Sequence, residues 1–80
     1  KEYTIIKTRR GRTSEVKGTM EHLLNYFGYT LDCGKSYERE KGARKVNTRP
    51  TTGKALVTAL NNAAYNRAAN HCPGEYYELA

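Results

Sequence analysis

Hydrophobic and polar positions change their spacing along this chain, and the changes mark the elements. Residues 3–8 read Tyr-Thr-Ile-Ile-Lys-Thr, a run of β-branched and aromatic types that favours a pleated strand. Arg9-Arg10-Gly11-Arg12 interrupts it, with Gly11 free to take a positive φ. Thr13 to Lys17 then alternates, with Val16 pointing inward. Two short strands around a glycine-containing turn predict a β-hairpin. From Met20 the period lengthens. Met20, Leu23, Leu24, Phe27 and Leu31 fall at i, i+3, i+4, i+7 and i+11, one apolar stripe at helical spacing. Thr19 is the expected N-cap and Gly34 the expected stop. Gly28 weakens this helix by about 1 kcal/mol relative to Ala, and is expected to mark an early end or a close contact with the sheet.

A second helix is expected after Pro50, capped by Thr51 or Thr52. Leu56, Val57, Leu60, Ala63, Ala64 and Ala68 trace its inner face, and the alanines permit close approach of a neighbour. Its other face offers Asn61, Asn62, Asn66, Arg67 and Asn70. Asparagine competes with the helical backbone for hydrogen bonds, so the cluster asks for a reason. It is either a solvated face with a frayed end or a polar contact surface. Asn70-His71 and Pro73-Gly74 close the helix, and Glu75 to Leu79 suits a last strand. The order β-β-α-loop-α-β predicts an α+β fold, a three-stranded antiparallel sheet with both helices packed on one face. The 80 residues make a single small domain.

Apolar residues make up 38% of the chain. Burial at about 25 cal/mol per Å² then only just offsets an ordering cost of about 1.5 kcal/mol per residue. A domain of modest stability follows, and a homodimer that shares core surface stays open. No apolar run approaches the length of a membrane span, and no export signal pattern opens the chain, so a cytoplasmic protein without a membrane partner is expected. Cys33 and Cys72 read as reduced thiols. With His22 and His71 they are the available zinc ligands, but His71 and Cys72 are adjacent and no C-x₂-C pair exists, so no metal or cofactor is expected. There is no G-x-S-x-G and no H-E-x-x-H, and Gly53-Lys54 lacks the upstream glycine of a phosphate loop. The chain reads as a non-enzymatic binding protein.

Its charge gives the direction. Lys and Arg number 14 against 8 acids, a net charge of +6. The cations gather in two places. Arg9, Arg10 and Arg12 sit at the hairpin tip. Lys35, Arg39, Lys41, Arg44, Lys45 and Arg49, with Tyr37 among them, occupy a basic loop at 35–50 that holds only Glu38 and Glu40 as counter-charge. Arginine forks pair with phosphate or carboxylate, and tyrosine faces can stack on bases. A net +6 can also be a merely soluble surface. The expected partner is nucleic acid, or else an acidic or nucleic-acid-binding protein, with the tip and the loop as the working surface.

The basic run and Ala-rich helix from Lys41 to Ala69 are similar to the C-terminal half of a double-stranded-RNA-binding domain. The first half departs from that family, because a hairpin stands where a helix should begin, so its fold is not carried over. In size, charge and β-β-α-α-β plan the whole chain resembles the small basic accessory proteins that tailed bacteriophages make against their hosts, anti-CRISPR proteins among them. The resemblance implies a protein that acts without turnover, by occupying a site on a host complex or on nucleic acid.

Overall fold

A computed structural model describes residues 1–68 and 74–80. The chain forms strands β1 (Glu2–Arg9) and β2 (Arg12–Thr19), helices α1 (Met20–Ser36) and α2 (Gly53–Ala68), and strand β3 (Glu75–Leu79). The three strands make one antiparallel sheet in the order β2-β1-β3. This is the expected α+β fold.

The hairpin register places Ile5 opposite Val16 and Arg9 opposite Arg12, and on the other side Ile5 opposite Leu79 and Lys7 opposite Tyr77. Residues opposite one another share a face. Tyr3, Ile5, Val16, Tyr77 and Leu79 therefore look the same way, and both helices cover that way. Phe27 of α1 meets Tyr77 edge to face at 5.7 Å, and Gly53 of α2 lies against Tyr3 and Leu79. Ile5, Leu23, Phe27, Leu31, Leu56, Leu60 and Tyr77 form the buried core with Val46 and three alanines. Met20, Leu24 and Val57 are only half-buried against it, and Ala68 is exposed.

Thr19 caps α1 as expected, its Oγ1 accepting the His22 N–H at 3.2 Å. Thr52 caps α2 through the Ala55 N–H at 3.1 Å. Gly34 does not stop α1, which runs on to Ser36 with Tyr37 as its cap. Gly34 is instead the point where α1 meets α2. A methyl group there would collide with Ala63, so the helices approach closely where one side chain is absent and the other is small. Gly28 neither ends the helix nor touches the sheet, and a methyl group there would meet open space.

At Asn66 the structure overturns the expectation of a solvated face on α2. Asn66 is 3% exposed. Its amide donates to the Gly34 and Arg44 carbonyls and accepts the Arg44 N–H, at 3.0, 2.8 and 2.8 Å. Asn62 donates to the Lys45 carbonyl. Asn61 accepts the Tyr77 N–H and donates to the Tyr77 carbonyl, at 2.7 and 2.9 Å. Asn66 is buried and Asn61 and Asn62 are half-buried, and all three pin other parts of this chain. Asn70, His71 and Cys72 lie outside the described residues.

Candidate anion-binding hollow at the hairpin tip

The turn between β1 and β2 has two residues, Arg10 at φ 52° and Gly11 at φ 80°. Two positive φ values in a two-residue loop make a type I′ turn, which matches the twist of the strands it joins. Glycine or asparagine is the usual first residue. Arg10 holds it against a steric cost of about 1–2 kcal/mol. The Arg10 N–H donates to the Gly74 carbonyl at 3.2 Å, so the tip is tied to the start of β3.

Strand parity then sorts the cations. Lys7 and Arg9 on β1 share the helix-covered face with Arg12 and Ser14 on β2. α1 does not reach that far along the sheet, and the uncovered corner becomes a hollow of about 780 Å³. Lys7, Arg9, Arg10 and Arg12 line it, Ser14 on the same face adds a hydroxyl, Val16 lies on its floor and Tyr26 of α1 forms a wall. No carboxylate lines it. Tyr26 is 61% exposed, with its ring edge-on to Phe27 at 4.9 Å.

On the same face Glu75 of β3 stands opposite Arg9 in the register, and it is engaged with other side chains. Its side chain is 2% exposed, pairs with Arg67 at 3.2 Å and accepts the Tyr77 hydroxyl. Burial, then the hydrogen bond to Glu75, pushes the Tyr77 hydroxyl far above the ordinary tyrosine range. Lys17 pairs with Glu2 and Lys35 with Glu38, and among the described residues no ion pair involves Lys7, Arg10 or Arg12.

The 35–50 segment differs from its expected form. Lys35 and Ser36 belong to α1. The rest is tied down rather than slack. Glu38 accepts the Val46 N–H at 2.7 Å, and Val46 and Pro50 are buried. That bond, then the Lys35 ammonium at 3.0 Å, holds the Glu38 carboxyl below the usual range. Asn62 and Asn66 clamp the backbone at Arg44 and Lys45. The Arg44 guanidinium lies 3.9 Å from the Tyr65 ring centroid, a cation–π contact. Arg39, Lys41, Lys45 and Arg49 are exposed and Tyr37 is half-buried.

The structure does not bring the tip and the loop into one hollow. Tyr37 and Lys41 line a second one of about 410 Å³, with Glu40 beside them. Arg49 lines a third of about 500 Å³, with Glu21 beside it. The hairpin hollow has cations without acids; the other two mix both signs. Lys7 and Tyr26 are the residues that sequence reading missed. Lys7 was recoverable, because it stands two positions from Arg9 and so shares its face. Tyr26 was not, because its place depends on how far α1 extends over the sheet.

Among the described residues no helix is long and apolar enough to cross a membrane, and no three His, Cys, Asp or Glu side chains form a metal-binding group. No family model matches the chain, no curated protein matches it, and no solved structure matches it.

Proposed function

We propose that this is a non-enzymatic binding protein of the cytoplasm that uses the hairpin hollow to engage nucleic acid and cover it. The hollow carries the reading: Lys7, Arg9, Arg10 and Arg12 converge on one concavity without a carboxylate, beside an exposed tyrosine ring. Cations supply phosphate contacts and the ring supplies a stacking face. Retaining Arg10 in a backbone conformation that disfavours it fits a side chain kept for its charge. The exposed cations of the 37–49 segment add long-range attraction rather than a second pocket.

The test is binding of short DNA and RNA strands at low salt, by fluorescence anisotropy, across a salt series. Each neutralised phosphate contributes a slope of about −0.9 on duplex DNA and about −0.7 on single strands. Changing Lys7, Arg10 and Arg12 together to Ala should make the slope shallower by roughly 2 to 3. Absence of binding to either nucleic acid at low salt sinks this reading. It then leaves an acidic or nucleic-acid-binding host protein as the partner, as the phage-inhibitor resemblance implies. Tyr29, 80% exposed on α1, favours that second reading, because tyrosine and arginine dominate protein interfaces.

A further inference from the structure

The two margins of the sheet are finished differently, and the difference locates a second interface. Ala80 donates its N–H to the Thr4 carbonyl and Arg10 donates to the Gly74 carbonyl. The even positions of β1 therefore turn their backbone groups toward β3, and the odd positions toward β2. Through the hairpin register the even positions of β2 bond to β1. Thr13, Glu15 and Lys17 then turn their N–H and C=O outward, and no strand of the described residues meets them. By the same parity Tyr77 turns its backbone outward from β3, and there Asn61 occupies both groups. One margin is plugged at its middle residue by a side chain; the other is an eight-residue strand without proline or bulge.

We infer that β2 is a dimerisation edge, pairing antiparallel with β2 of a second copy of this chain about a two-fold axis at Val16. Charge selects the occupant and the register. On the helix-free face Glu15 and Lys17 stand two positions apart. With Val16 opposite Val16, Glu15 of each copy lies opposite Lys17 of the other, twice by symmetry. Centring the axis on Glu15 sets two carboxylates face to face, and centring it on Lys17 sets two ammonium groups face to face. In the Val16 register the outward backbone groups of Glu15 and Lys17 form hydrogen-bonded pairs. Val16, half-buried, meets its own copy at the close pair between them. Lys17 is free to turn, since its present contact with Glu2 is 4.0 Å long and both side chains are mostly exposed. The two hairpin hollows then open on the same side of one continuous sheet.

The experiment is the chain's mass in solution, by sedimentation equilibrium from micromolar to millimolar concentration, with circular dichroism to confirm folding. The wild type should reach twice the chain mass. Glu15→Lys and Lys17→Glu alone should each weaken association by roughly tenfold or more, because like charges then face each other at both sites. Mixing these two variants should restore the doubled mass as a heterodimer, and so should Glu15→Lys combined with Lys17→Glu in one chain. A wild type that stays monomeric throughout overturns the inference. So does a dimer that ignores the single charge reversals, or a mixture that fails to associate. The assay contains no nucleic acid, so its result is independent of the proposed function.

Discussion

The β3 and β2 margins belong to one sheet yet obey opposite rules. At β3 every device works toward closure. Asn61 reaches from α2 to take both backbone groups of Tyr77, whose side chain is buried. The Tyr77 hydroxyl ends on Glu75, and Arg67 neutralises Glu75. At β2 the side chains are mostly exposed, and α1 is the helix that packs against it. The contrast teaches that an asparagine amide can imitate one residue of a neighbouring strand: it offers a donor and an acceptor at strand spacing. A helix then finishes a sheet edge without adding another strand.

Breaking the plug should give the largest effect. Asn61→Leu leaves the Tyr77 N–H and carbonyl without their partners, at about 1–3 kcal/mol for each group that water cannot reach. Urea unfolding should show a loss of about 2–4 kcal/mol. Association through β3 should appear with it, as a concentration-dependent mass that Glu15→Lys does not suppress. Next comes the buried network behind that edge. Tyr77→Phe should cost about 1–2 kcal/mol, because Glu75 loses a donor. Its pH signature follows from the raised pKa. The stability contributed by the protonated Tyr77 is complete below the ordinary tyrosine value of 10.0 and is lost as pH rises beyond it. A stability curve from pH 8 upward should therefore fall in the wild type and fall less in Tyr77→Phe. The smallest effect probes the hairpin. Arg10→Gly removes the strained conformation and should raise stability by about 0.5–1 kcal/mol while weakening binding to an anionic strand. A gain in stability with unchanged binding would separate Arg10 from the hollow's function.

Much of this fold was legible because local patterns and tertiary packing agree. The β-branched run at 4–8, the glycine turn and the Leu23-Phe27-Leu31 stripe each specify their element alone, and the register only assembles them. What escaped depends on partners brought together from far along the chain. Asn66 binds backbone groups 22 and 32 residues away, so its role as a pin has no local signature. The 37–50 segment looked slack because it has few apolar side chains. Backbone hydrogen bonds from Glu38, Asn62 and Asn66 hold it instead, and hydropathy does not register them. Gly34 carried two meanings, helix stop and helix contact, and only the neighbouring Ala63 decides between them. The hairpin arginines were conspicuous in the sequence. Their convergence with Lys7 came from parity, and their separation from the loop cations came from the path of the chain.

The grip of Asn61 on Tyr77 also governs how far such molecules can grow. A sheet with two receptive borders can add subunits without end and risks forming fibres. With one border stoppered, each chain has a single place to add, and growth terminates at a closed pair.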